Sequence, residues 1–382
     1  MPTFRSLALL LLLAPTLAHA GAQKIRRGDE AFLDAPYKNL RHPRVSFVIP
    51  ADEKVIQAKP VPVVDVIKKQ TAVKMQAARG SCSIFSATAL LESLLVIHGK
   101  ADTSLDLSEE YLQYLIAQYM TNDGSSSPGN FRALKQYGTS SEAKMPYIGF
   151  TWASLDDDGA RARCGHLTGA VMLNCLTGHR DPGLLAASES VLTNPDSLLY
   201  DPAFLEARKE AEANRALFFS SAPLDDDAMF DFGGVLASTA DIKAQLDKGI
   251  PVTLDLSFYY GSWNHRLTTE LGISRNLDAW AKGIVSFPEE GSLDLAKSDE
   301  KPAGHSVVVV GYDDEKEVTY TIPMEDGTNK TFTRKGVYYI KNSWGTLGFG
   351  ADFELNGEKF PGFGMITQDY ANQHGQFYQL TL

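Results

Sequence analysis

The chain reads as an α+β protein of two lobes, a helical one followed by one built on antiparallel sheet. Three observations carry this. Ser81 to Gly99 is apolar on nearly every side, with Ile84, Phe85, Ala87, Leu90, Leu91, Leu94, Leu95 and Ile97, the pattern of a buried helix. From Val252 the period changes to short β-rich runs parted by turn residues: Val252 to Leu256, Ser306 to Tyr312, Val318 to Ile322 and Val337 to Lys341. Finally, 382 residues at 44% hydrophobic and 22% charged suffice for two lobes and a sizeable core.

The elements follow in order. Residues 1–20 combine Arg5, the apolar run Leu9 to Leu13 and a small-residue ending at Ala18-His19-Ala20, the parts of a secretory signal cleaved before Gly21. Their apolar core is shorter than the roughly 20 residues a spanning helix needs, so stable membrane insertion is not expected. The mature protein is expected to be secreted or periplasmic, in an oxidising compartment. Residues 21–62 begin basic and turn proline-rich, as a strap or short pro-segment.

Residues 63–235 form the expected helical lobe. Its first long helix would be capped by Ser81 and closed by Gly99. Leu107 to Met120 predicts a second helix with a Ser108 cap, and Gly129 to Tyr137 a third, ended by Gly138. An insertion at about 150–235 carries the acidic clusters Asp156 to Asp158 and Asp225 to Asp227, read as solvated turns because they lack calcium-loop spacing. It also holds a helical pattern from Pro202 to Leu217. Residues 236–382 form the β-rich lobe, opened by a short helix, Ala240 to Lys248, and including a long hairpin through Asp326 and Gly327.

Charge and cysteine count narrow the function. With 36 basic and 47 acidic residues the net charge is -11, which argues against nucleic acid as a partner. Three cysteines are too few for a disulfide scaffold and show no C-x-x-C spacing; neither a metal nor a cofactor is expected. Three is also odd, which leaves one thiol over. Cys82 falls in the first turn of the buried helix, where unpaired N–H groups and the helix dipole favour a thiolate, the nucleophilic form.

Three strings give that thiol a context. Gln76-Ala77-Ala78-Arg79-Gly80-Ser81-Cys82-Ser83-Ile84-Phe85-Ser86 comes first, then Gly304-His305-Ser306-Val307 through Gly311-Tyr312, then Tyr339-Ile340-Lys341-Asn342-Ser343-Trp344-Gly345. They resemble, in the required order, the nucleophile, histidine and asparagine segments of papain-like cysteine peptidases. Lesser echoes are Leu107-Ser108-Glu109, Tyr137-Gly138, Met145-Pro146-Tyr147 and Gly362-Phe363-Gly364, so the resemblance spans roughly residues 65–382.

The resemblance implies a two-lobed fold, a helical lobe and an antiparallel β-barrel-like lobe with the active-site cleft between them. It also implies the chemistry. Cys82 would attack a peptide carbonyl as a thiolate paired with protonated His305, giving an acyl-enzyme; Asn342 would orient the imidazole, Trp344 would shield that bond, and Gln76 would donate to the oxyanion. Ser126, Ser127, Gly304, Trp344 and Gln368 would bind substrate, the Ser125 to Ser127 loop walling a side-chain pocket floored near Gln368. The expected partners are peptides or proteins, acted on by a monomeric endopeptidase; a catalytically impaired peptide-binding protein is the alternative.

Departures are specific. The family's disulfide cysteine three residues before the nucleophile is Arg79, the tryptophan after it is Ser83, and a later tryptophan is Phe349, one residue late. Nucleophile and histidine lie further apart than the family's ~130 to 150 residues. Some members carry an occluding loop closed by two cysteines with ten residues between them. Cys164 and Cys175 share that spacing and His166 lies between them, so they are expected to be disulfide-bonded, either stapling a surface insertion or, as the weaker alternative, supporting carboxy-terminal dipeptide release.

Overall fold

The computed structural model describes residues 60–219 and 233–382. The expected signal at 1–20, all but the last residues of the 21–62 strap, and Asp225 to Asp227 lie outside the described residues. Helices dominate the first part: α1 (Val63–Ile67), α2 (Cys82–Ile97), α3 (Glu109–Ile116), α4 (Ser127–Tyr137), α5 (Asp158–Cys164), α6 (Gly169–Gly178), α7 (Glu189–Leu192) and α8 (Pro202–Phe218). The second part holds β1 (Gly233–Leu236), α9 (Thr239–Asp247), β2 (Val252–Ser257), α10 (Leu277–Ala281), β3 (Ile284–Val285), α11 (Leu293–Glu300), β4 (Gly304–Pro323), β5 (Asn329–Lys341), β6 (Glu354–Leu355), β7 (Glu358–Lys359), β8 (Phe363–Thr367), α12 (Gln368–His374) and β9 (Gly375–Leu380). Among the described residues, no helix is long and apolar enough to cross a membrane.

Seven strands form one sheet in the order β1-β9-β2-β4-β5-β8-β3, antiparallel except for the β3–β8 pair, with β6 and β7 as a separate ribbon. The two-lobed α+β architecture stands. The sheet is open, running from β1 at one edge to β3 at the other rather than closing into a barrel. Because β1 pairs with β9, residues from Gly233 onward join the sheet of the β-rich part.

Side-chain alternation explains how this sheet is sandwiched. Val308 and Val310 of β4, Tyr339 of β5 and Met365 of β8 pack into the core built by α2, α3, α4 and α8. Val307 and Val309, Tyr338 and Ile340, and Ile366 point the other way, into a second core with Ile242, Leu246 and a cluster of aromatic rings. Both faces are covered, which is why Ser306 to Val310 carries no exposed polar alternation.

Local chemistry fixes the helix ends. Ser108 accepts a hydrogen bond from the Tyr111 amide and caps α3 as expected. Ser81 does not cap α2: its hydroxyl lies 2.6 Å from the Tyr147 hydroxyl instead. Gly138 ends α4 at φ 72°, and a Cβ there would lie 2.1 Å from the Ala211 carbonyl, so this turn demands glycine to seat α8. Asp157 is more than a solvated turn residue, since it caps α5 through the amides of Gly159 and Ala160. The runs 306–312 and 318–322 are one strand with a register shift between Asp313 and Glu317, not two.

Candidate active site

Gln76 to Cys82 crosses from the β-rich part into the helical one. The Gln76 amide donates to the Ser343 carbonyl (2.9 Å), and Met75 bridges Trp344, so this segment lies against the stretch after β5. The Gln76 side chain is buried; its Nε2 donates to the Arg79 carbonyl (2.8 Å) while Ser343 Oγ donates to its Oε1 (2.7 Å). Cys82 opens α2, fully buried and outside the disulfide. The amides of that first turn have no intrahelical acceptor and face an anion favourably.

His305, second residue of β4, sits opposite Leu256 of β2. Its Nε2 lies 2.9 Å from Asn342 Oδ1, and the same oxygen accepts from the Ser343 amide (2.8 Å). An amide oxygen only accepts, so His305 carries its proton on Nε2 and leaves Nδ1 as a lone pair, which is buried without a hydrogen-bond partner. Trp344 stacks on the ring at 4.6 Å, Trp263 stands edge-on at 5.1 Å and Phe258 at 5.9 Å. Burial lowers the imidazole pKa to about 4, against the opposing bond to Asn342. The protonated His305 expected from the resemblance therefore has an apolar wall working against it.

Arg79 replaces the expected cysteine with a buried ion cluster. Its Nη2 lies 2.6 Å from Asp123 Oδ1 and 2.8 Å from the Thr177 carbonyl, its Nε 3.2 Å from Asp123 Oδ2, and its Nη1 3.4 Å from Glu110 Oε2. His179 Nδ1 lies 2.7 Å from Glu110 Oε1. The nucleophile segment is thus tied non-covalently to α3 and to the insertion, whose α5 and α6 the sequence left unassigned. Cys164 and Cys175 are disulfide-bonded across that pair, with Cα atoms 5.8 Å apart. His166 faces Asp181 at 2.6 Å.

The expected substrate-binding residues divide. Gly304 precedes His305, and Trp344 covers the imidazole. The loop before α4 does reach the nucleophile helix: Ser125 Oγ is 2.7 Å from Ser83 Oγ, and half-buried Ser126 follows it. Ser127 is buried, its amide and hydroxyl both given to Asp255 at 2.9 and 2.7 Å. Gln368 is not in this group. Its Nε2 donates to Asp314 and the Val337 carbonyl, and Val337 is roughly 17 Å along β5 from Asn342 at the rise of an extended strand. Phe349, which stands one residue late for the family's tryptophan, packs on Trp344 at 5.9 Å.

Two residues that the sequence analysis passed over belong beside the site. Asp255 interrupts the apolar run of β2, and a lone acid in such a strand is itself a signal. His265 lies 5.9 Å from Trp344 with its Nε2 unpartnered, and burial followed by neighbouring positive charge lowers its pKa to about 3. No cluster of three or more potential metal ligands occurs among the described residues.

Residues 62–170 match the family model of papain family cysteine proteases, and residues 226–352 match that of a peptidase C39-like family. No curated protein matches the chain by sequence. Among solved structures, it is similar to xylellain, a cysteine protease from Xylella fastidiosa, at 15% identity over 94% of this chain and 98% of that one, with a TM-score of 0.46. Similarity extends to a structure from work on the mite allergens Blo t 1 and Der p 1 (14% identity, 95% and 79% covered, TM-score 0.40). Digestive procathepsin L 3 of Tenebrio molitor larval midgut follows (16%, 93% and 76%, 0.39).

Proposed function

We propose that this chain, a divergent papain-like protein, is an exported cysteine peptidase that hydrolyses peptide bonds through Cys82, His305, Asn342 and Gln76. The observation that carries the reading is the 2.9 Å bond from His305 Nε2 to Asn342 Oδ1, which leaves Nδ1 as the basic nitrogen on β4, the strand whose next residue, Ser306, meets Ser86 of α2. Nδ1 takes the Cys82 proton as sulfur adds to the peptide carbonyl. The imidazolium then returns that proton to the leaving amine, and neutral His305 activates the water that releases the acyl group. Gln76 Nε2 and the Cys82 amide donate to the developing oxyanion, one such donor being worth about 3 kcal/mol. Asn342 keeps the ring in its productive tautomer beneath Trp344.

Substrates are peptides or proteins, cleaved internally by a monomer, with carboxy-terminal dipeptide release as the weaker alternative. Residues 1–20 act as the export signal, Ser126, Gly304 and Trp344 line the substrate path, and residues 63–219 and 233–382 serve as its two walls. The mature protein should begin at Gly21 in the periplasm or the medium, which N-terminal sequencing checks. To test the chemistry, the mature protein is incubated under reducing conditions with an epoxide thiol inhibitor and a mixed peptide library. A Cys82 adduct and internal cleavage are expected; a folded sample giving neither is a binding protein instead.

A further inference from the structure

Asp255 is 3% exposed in the middle of β2, between Leu254 and Leu256. A carboxylate taken out of water is tolerated only where donors replace its hydration. Here the donors come from separate elements. Ser127, first residue of α4, gives its amide to Oδ2 (2.9 Å) and its hydroxyl to Oδ1 (2.7 Å); Ser306, the residue after His305, gives its hydroxyl to Oδ1 (2.7 Å). Ser306 Oγ is in turn 2.5 Å from Ser86 Oγ. A hydroxyl has one proton, and that of Ser306 goes to Asp255, so the Ser86 proton is shared between Ser306 Oγ and the Ser83 carbonyl, 3.1 Å away. Ser86 lies four residues after Cys82, on the same face of α2.

One carboxylate therefore gathers the nucleophile helix, the histidine strand and the start of α4. Asn342 fixes the rotation of the imidazole, but it sets nothing about how far β4 stands from α2. We propose that Asp255 is a positioning residue that sets the separation of Cys82 and His305 through Ser306 and Ser86. The proposal deepens the peptidase reading and rests on it. A misplacement of about 1 Å between reacting groups costs on the order of a hundredfold in rate, so the effect should be large for a residue that touches neither.

The test compares D255A, D255N and S306A with wild type in two readouts. The first is kcat and KM on a peptide that the wild type cleaves. The second is the pH dependence of Cys82 alkylation by iodoacetamide, which needs no catalysis and reports the imidazole's hold on the thiol. D255A is expected to lose about 30- to 100-fold in kcat with KM within about twofold, and to move the alkylation midpoint by about one pH unit. S306A should move both the same way by less. D255N keeps the shape but faces the Ser127 amide with fewer acceptors, and carries the test if D255A does not fold. An unchanged midpoint and unchanged kcat per folded molecule, with only a lower Tm, would overturn the proposal. A wild type that cleaves nothing would overturn the peptidase reading instead, and the alkylation series would still decide the role of Asp255.

Discussion

The wall behind Cys82 and the wall behind His305 are held by different forces. On the nucleophile side the packing is ionic: Arg79 sits among Asp123, Glu110 and the Thr177 carbonyl, and Lys74 bridges Glu92, Asp106 and Glu109 at 2.8 to 2.9 Å. On the histidine side it is aromatic, with Phe258, Trp263 and Trp344 around the imidazole and Trp280 stacked behind Trp344 at 5.5 Å. Ion pairs are directional, so the first wall fixes where the backbone of the nucleophile segment runs. Rings impose no charge geometry but exclude water, so the second decides which protonation state the base adopts. Position comes from one side and proton affinity from the other.

The largest test removes the nucleophile itself. Cys82→Ala should keep the fold and lose at least ~10⁴-fold in peptide hydrolysis, since members of a nucleophile-base unit fail together; residual turnover well above that level, measured by initial rates, would break the assignment. Next is the ionic wall. Arg79→Met leaves Asp123 and Glu110 buried without their counter-ion and should cost about 3 to 5 kcal/mol in urea unfolding. Trp263→Phe, which keeps the aromatic wall apolar, should cost only about 1 to 2. Equal losses would erase the contrast between the walls.

Acid should act through the aromatic wall. The imidazole of His305 is held at about 4, below its ordinary value near 6.5, so between those values the unfolded chain binds the proton that the native one refuses. Stability is whole above pH 6.5 and falls as pH drops toward 4, by about 3 kcal/mol from this group; His265 adds to it with the same sign. Denaturant titrations at stepped pH measure it, and His305→Asn should flatten the slope. Gln76→Ala should lower kcat per folded molecule about a hundredfold by removing one oxyanion donor, and should also cost about 1 to 3 kcal/mol of stability because the Arg79 carbonyl and Ser343 hydroxyl lose a buried partner. The smallest effect is expected in the insertion: replacing Cys164 and Cys175 by serine should cost about 2 kcal/mol and leave turnover per folded molecule intact.

What could be read from sequence was whatever has a local or periodic signature. The Ser108 cap, Gly138, the Pro202 helix start and the apolar face of α2 each announce themselves within a few residues. The three strings around Cys82, His305 and Asn342 did the same for the site. Arg79 could be seen only as a missing cysteine, because its partners Asp123, Glu110 and Thr177 are 31 to 98 residues away and solvated carboxylates look the same in a string as buried ones. The distance of Gln368 from Asn342 is invisible in the string because it is set by the register of β8 on β5, Val337 opposite Thr367, which depends on pairing across the sheet. Ser81 looked like a cap until Tyr147, brought in by the next lobe segment, took its hydroxyl.

The placement of the indoles has an optical consequence. Of the chain's four tryptophans, Trp263 and Trp344 pack on His305, Trp280 stacks behind Trp344, and Trp152 lies 4.5 Å from His179 beside the Arg79 cluster. An imidazolium quenches a neighbouring indole more strongly than a neutral imidazole does. Intrinsic emission is thus a built-in titration signal in which the intensity of the untouched protein follows the charge of His305 together with that of His265, 5.9 Å from Trp344, and Trp152→Phe would strip away the one emitter that listens to the other wall.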